Sequence, residues 1–140
     1  MKTIIVDDEI MAIKLVRNYL ERDKRVEIVG ECLDAGEALQ CVRERAVEAA
    51  FLDICIHGCM DGVELGKKLK ELNPQIVLIY TTGNAQYVDN AIDVEADFYL
   101  MKPLNAAELT FVVKKANELA LQRNKRIFAR TFGHFDLYID

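Results

Sequence analysis

Short apolar runs alternate with longer amphipathic ones along the chain. Thr3–Val6 is a β-branched run that stops at Asp7-Asp8, and Ile10, Ile13, Leu15, Val16, Tyr19 and Leu20 then recur at helical spacing. Val26–Gly30 reads as a second strand. Asp34-Ala35-Gly36-Glu37 places a capping acid three residues before a glutamate, with Leu39 and Val42 behind it, so a helix starts there. Ala49–Ile54 is a third strand, almost uniformly apolar, with Asp53 near its end. Asp61-Gly62-Val63-Glu64 repeats the acid-x-x-Glu spacing and opens a helix through Leu65, Leu69 and Leu72. Asn73-Pro74 ends that helix, because the residue before a proline avoids the α region. Ile76–Tyr80 is a strand apolar on both faces, a weaker helix follows from Asn84 to about Asp93, and Phe98–Met101 is the fifth strand. Asn105-x-x-Glu108 then opens a long helix with the stripe Leu109, Val112, Val113, Ala116, Leu119 and Ala120, ending near Gln122.

Five strands alternating with five helices predict an α/β domain, a doubly wound parallel sheet covered by helices on both faces. Strands apolar on both sides are what that double burial requires. Parallel strands need right-handed crossovers, and such sheets place their ligands beyond the carboxyl ends of the strands. Asp7-Asp8, Asp53, Thr82 and Lys102 lie there, at the ends of the first, third, fourth and fifth strands.

Composition narrows the picture. At 140 residues the chain suits one domain with a core, and 51% apolar with 29% charged residues is a soluble globular profile. A formal charge of -5 argues against a nucleic-acid-binding surface on the domain itself. The apolar run before Asp7 is too short for a signal segment or a membrane span, so a cytoplasmic protein with no membrane contact is expected. Of the four cysteines, Cys32 and Cys41 sit in apolar-periodic segments, read as small buried hydrophobes, and stay thiols in a reducing cytosol. Cys55, His57 and Cys59 alternate along one stretch, but no second ligand pair of zinc-like spacing accompanies them, so they read as loop residues. A nucleotide-binding reading fails for want of a glycine-rich loop after the first strand.

The strand-end residues carry the chemistry. Three carboxylates converging on one pocket raise one another's pKa or demand a cation. A hard divalent ion with oxygen ligands answers that demand, and Mg2+ keeps several waters while using a few carboxylates. Lys102 supplies a mobile positive charge for a phosphate or a carboxylate, and Thr82 a hydroxyl donor. Together they hold what phosphoryl transfer needs: a carboxylate nucleophile, a metal to gather charge, and donors for the equatorial oxygens. A single acid at a strand end is usually a helix cap or a solvated residue, and a lone Lys-Pro is usually a turn. The conjunction at successive strand ends is what separates this set from those readings.

Val6-Asp7-Asp8-Glu9, Leu52-Asp53-Ile54, Met60-Asp61-Gly62-Val63-Glu64-Leu65, Thr82-Gly83 and Tyr99-Leu100-Met101-Lys102-Pro103 resemble the receiver domains of two-component response regulators. The likeness covers about residues 2 to 122. It implies a flavodoxin-like sheet of strand order 2-1-3-4-5, with Asp53 as phosphoacceptor and a sensor histidine kinase as donor. It further implies Mg2+ held by Asp7, Asp8, Asp53 and the backbone carbonyl of Cys55. Thr82 would follow the phosphoryl group, Lys102 would pair with it, and Tyr99 would be an aromatic switch that turns inward. The Lys102-Pro103 bond is usually cis in this family. The interval from Thr82 to Lys102 is similar to the shorter version in LytTR-class receivers, and alternation then turns Thr81 away from the pocket. A homodimer through the fourth helix, fifth strand and fifth helix is a further implication.

Two departures from the family pattern stand out. Ile56-His57 replaces the Met-Pro that usually follows the phosphoacceptor, and the interval from Asp53 to Met60 is one residue longer. Metal affinity and phosphoryl lifetime are the properties this loop would change; His57 is more often solvated than a participant in hydrolysis. Beyond the receiver, Arg123–Arg126 reads as a basic linker and 127–140 as an extra C-terminal strand, with a turn or bulge at Gly133. An apolar strand without a partner is an aggregation liability, so it is expected either to pair with another copy or to belong to a longer protein. Arg130–Leu137 resembles the opening strand of the winged-helix domain in SARP-like transcriptional activators, which would place DNA binding in an output domain absent from this chain. Against the phosphorylation switch stand two rivals. One is a pseudo-receiver that serves as an interaction module; the other is a metal-dependent hydrolase, for which Cys55 stands where a second acid would be needed.

Overall fold

The computed structural model describes residues 1–56, 61–83 and 96–132, with side chains described as far as residue 124. The described elements are β1 (Lys2–Val6), α1 (Ile10–Leu20), β2 (Glu27–Cys32), α2 (Ala35–Glu44), β3 (Ala49–Asp53), α3 (Gly62–Leu72), β4 (Val77–Thr82), β5 (Phe98–Met101) and the C-terminal helix α4 (Ala106–Phe132). The helix expected from Asn84 to about Asp93 lies outside the described residues, as do His57, Cys59 and Met60.

The five strands form one parallel sheet in the order β2-β1-β3-β4-β5, the flavodoxin-like order. Alternation along each strand divides the core into two layers. Ile4, Val6, Leu52, Leu78 and Tyr80 face Ala38 of α2 and Leu65 and Leu69 of α3. Ile5, Phe51 and Ile79 face Ile13 and Val16 of α1 and Leu109, Val113 and Ala116 of α4. Each apolar side chain removed from water this way contributes about 1.5–3 kcal/mol, which is why β3 and β4 lack polar residues until their ends.

Helix starts follow the local chemistry of the sequence. The Asp34 carboxylate accepts the Glu37 N–H at 2.8 Å while the Glu37 carboxylate accepts the Leu33 N–H at 2.9 Å. Asp61 accepts from Glu64 and Asn105 from Glu108, each at 2.8 Å, so three helices begin on a side-chain cap.

The tail departs from the expectation. No linker interrupts the chain at Arg123–Arg126 and no strand starts at Ile127; the backbone stays helical through Phe132. Residues 133–140 lie outside the described residues. Arg, Lys and Ala are good helix formers, and no glycine or proline occurs between Ala106 and Phe132, so the aromatic and β-branched residues of 127–132 are carried along by helical continuity. Arg123 is also anchored on the sheet. Its guanidinium donates to Asp97 at 2.7 Å and to the Ile76 carbonyl at 2.9 Å, while Asn124 donates to Glu48 at 2.9 Å.

Candidate functional site

The carboxyl ends of β1, β3, β4 and β5 meet at one rim. Asp7 follows β1 and is fixed by two backbone bonds: its N–H donates to the Cys32 carbonyl at 3.1 Å, and its carboxylate accepts the Glu9 N–H at 2.9 Å. Asp53 ends β3, and one of its oxygens accepts the Cys55 N–H at 3.1 Å. Asp7 and Asp53 are buried and Asp8 is half-buried, and each offers an oxygen within 4.8 Å of the others. Lys102, just past β5, places its ammonium 3.1 Å from Asp7 and 3.5 Å from Asp53. Its backbone N–H donates to the Thr82 carbonyl at 2.8 Å, which ties the end of β5 to the end of β4. The Lys102–Pro103 peptide is cis.

Electrostatics show the strain of this gathering. Burial raises the Asp53 carboxyl above its ordinary value; the Cys55 N–H opposes the rise, Asp7 adds to it, and Lys102 counters it. Burial works against the Lys102 charge, yet Asp53 and Asp7 together raise its pKa. Among the described residues, three carboxylates and the Lys102 ammonium meet at this rim, and such a set of hard oxygen donors fits a divalent cation such as Mg2+.

The β3–β4 register pairs Asp53 with Thr81, so Thr82 stands one residue further toward the rim. Both threonines are buried; the Thr81 hydroxyl lies 3.5 Å from the Leu52 carbonyl. Thr82 shares its side of β4 with Tyr80, whose ring stacks on Tyr99 at 6.2 Å between centroids and 18° between planes. Tyr99 is partly buried against the same core layer.

Past Asp53 the chain is held from several sides. The Ile54 N–H donates to the Thr81 carbonyl at 3.1 Å, and the Gly62 N–H donates to the Ile54 carbonyl at 2.9 Å. Ile56, the first residue of the Ile56-His57 pair, is buried in the core layer beneath α2 and α3. Gly62 allows α3 to start directly against this segment, since a Cβ there would overlap the Asp53 carbonyl oxygen and the Ile54 backbone. Periodicity reads Tyr80 as an ordinary strand position and Gly62 as part of a helix start, and it does not single out Gly66. The signal that marks them is the pair of glycines four apart at the start of an otherwise apolar helix face, a sign of close backbone approach.

Comparison with known proteins places the chain in a family and matches its fold. The family model described as response regulator receiver domain matches residues 3–114. The sensory transduction protein LytT of Bacillus cereus is 31% identical over 115 residues, covering 82% of this chain and 46% of that protein. The transcriptional regulatory protein YpdB of Escherichia coli is 30% identical, covering 82% and 47% respectively. This chain thus spans about half the length of the curated relatives it matches. Among solved structures, the receiver domain of AraT, a response regulator from Geobacillus stearothermophilus, superposes with a TM-score of 0.80 at 33% identity, covering 89% of this chain and 98% of that one. The response regulatory domain of MrkE from Klebsiella pneumoniae gives 0.79 at 28% identity, covering 87% and 99%.

Proposed function

The chain belongs to the response-regulator receiver domain family, and from that premise we propose that it is a phosphorylation switch whose phosphoacceptor is Asp53. The observation that carries the reading is the convergence of Asp7, Asp8 and Asp53 within 4.8 Å under the ammonium of Lys102. Asp7, Asp8, Asp53 and the carbonyl of Cys55 would hold Mg2+, which when bound gathers the negative charge of the transferring phosphoryl group.

An oxygen of Asp53 attacks phosphorus in line with the leaving group of the donor, a phosphohistidine of a sensor kinase or a small acyl phosphate. The new O–P bond forms as the old bond to phosphorus breaks, and the leaving group keeps the electron pair. Lys102 already bridges Asp7 and Asp53, so its ammonium is in place to pair with a phosphoryl oxygen. The Thr82 hydroxyl donates to another, and Tyr99, stacked on Tyr80, turns inward as Thr82 moves. The Cys55 N–H holds the second Asp53 oxygen and so orients the first.

The output is a DNA-binding domain beyond this chain, supported by longer relatives that match it over about half their length and include a transcriptional regulatory protein. The continuous helix α4 leads toward it. A dimer face that includes β5 and α4 is part of the same proposal, as is a cytoplasmic site of action. Among the described residues no helix is long and apolar enough to cross a membrane.

The test is intact mass after incubation with acetyl phosphate and Mg2+, beside an Asp53→Asn control. Gain of one phosphoryl group in the wild type alone supports the reading. Binding of Mg2+ without any gain would make the domain a pseudo-receiver.

A further inference from the structure

Tyr80 sits in the middle of β4 with its side chain fully buried, yet it carries a polar hydroxyl. That hydroxyl donates to the Gly62 carbonyl at 3.0 Å, in the first turn of α3. Gly66, one turn further on, makes room for it: a Cβ at Gly66 would overlap the Tyr80 hydroxyl. Gly62 in turn lies on the Asp53 carbonyl and donates to the Ile54 carbonyl at 2.9 Å. On its other side the Tyr80 ring stacks on Tyr99. One side chain therefore touches both the candidate switch residue and the helix end that supports the phosphoacceptor segment.

We infer that Tyr80 is a positioning residue that ties the ring of Tyr99 to the Asp53–Cys55 segment through its hydrogen bond to Gly62. Burial keeps the phenol protonated well above its ordinary range, so it remains a donor to the Gly62 carbonyl at neutral pH. A phenylalanine would fill the same space and stack equally well on Tyr99; what it lacks is the hydroxyl's bond to the Gly62 carbonyl at the start of α3. Displacement of Tyr99 pulls on Tyr80, and the pull reaches Gly62, Ile54 and the Cys55 carbonyl proposed to face Mg2+. The inference deepens the phosphorylation reading and rests on it for its functional meaning, while its structural half is testable without metal or phosphodonor.

The experiment uses Tyr80→Phe, which deletes one oxygen and keeps the ring. In metal-free protein, amide hydrogen exchange over residues 54–65 is expected to rise about fivefold, the scale of one lost buried hydrogen bond, with exchange in β1 and β2 unchanged. Half-saturating Mg2+ for labelling by acetyl phosphate is expected to rise about threefold or more, because the carbonyl ligand is less well placed. Tyr99→Ala should loosen the same segment in the wild-type background and add little to Tyr80→Phe. Unchanged exchange over 54–65, or a rise spread evenly along the chain, would overturn the positioning role. Wild-type protein that never labels would sink the phosphorylation reading and with it the functional half, while the exchange pattern would still decide the structural half. Labelling of wild type and Tyr80→Phe at the same Mg2+ dependence would overturn the functional half alone.

Discussion

Arg123→Ala separates a helix that is built into the domain from a linker that merely leaves it. Arg123 sits where the sequence predicts a basic linker, but its guanidinium is mostly buried and so is its partner, with side-chain exposures of 18% for Arg123 and 12% for Asp97. It donates to both Asp97 oxygens, at 2.7 and 3.3 Å, and to the carbonyls of Ile76 at 2.9 Å and Gln75 at 3.3 Å. Hydrogen bonds involving a charged group contribute about 1.5–3 kcal/mol each, and breaking a buried pair costs about 3–5 kcal/mol when the partner is left alone. Here Asp97 is not left alone: it keeps the Leu78 N–H at 2.9 Å and the Lys70 ammonium at 3.7 Å. The Ile76 carbonyl also keeps a donor in Lys70, at 2.9 Å. The expected loss is therefore below that range, about 2–3 kcal/mol, which for a domain of this size lowers Tm by about 10 °C. Urea unfolding followed by far-UV circular dichroism reads it, with Asp97→Ala and the double variant completing a cycle whose coupling should exceed about 1 kcal/mol. A loss below about 0.5 kcal/mol would mean that Arg123 is solvated as a linker residue is, and the reasoning from this pair would be wrong.

Three further outcomes are expected. Asp61→Ala removes the acceptor of the Glu64 N–H at the start of α3, and should cost about 1 kcal/mol in urea unfolding. Asp53→Asn removes a carboxylate whose charge is disfavoured by burial and by Asp7; it should raise Tm in the metal-free protein, and the rise in Tm expected for the wild type on adding Mg2+ should be absent from the variant. Alkaline pH should weaken the fold. Burial raises the Cys32 thiol above its ordinary 9.0 and the Tyr80 phenol above its ordinary 10.0, so the folded state holds protons that the unfolded chain releases. Stability is then fully present below pH 9.0 and falls as pH climbs past that value and past 10.0, read as a declining urea midpoint.

Much of this architecture is legible in the sequence because it depends on local chemistry. The caps at Asp34, Asp61 and Asn105 each act within three residues, so their spacing alone announces them. The double burial of β3 and β4 shows directly as runs without polar residues. The charged residues of the site are legible for a topological reason: a parallel sheet brings strand ends together, so Asp7, Asp53 and Lys102 are neighbours although they are far apart along the chain. Other features depend on partners that pattern cannot supply. Tyr80 reads as one more apolar strand residue because the acceptor of its hydroxyl, Gly62, is 18 residues away on another element. Arg123 reads as part of a solvated basic run because Asp97 is 26 residues distant. Cys32 and Cys41 read as unrelated hydrophobes, yet their sulfurs lie 3.8 Å apart across β2 and α2. The reading of 127–132 as strand failed because β-branched and aromatic residues fit either state, and the absence of a breaker before Gly133 decided for helix.

The most direct measurement of the central claim is the position of the phosphoryl group. Protein treated with acetyl phosphate and Mg2+ is reduced with borohydride, which converts an aspartyl phosphate to homoserine, and then digested and sequenced by mass spectrometry. The account predicts homoserine at Asp53 and nowhere else, lost when Mg2+ is chelated. Homoserine at another aspartate, or none under conditions where the protein binds Mg2+, would contradict it.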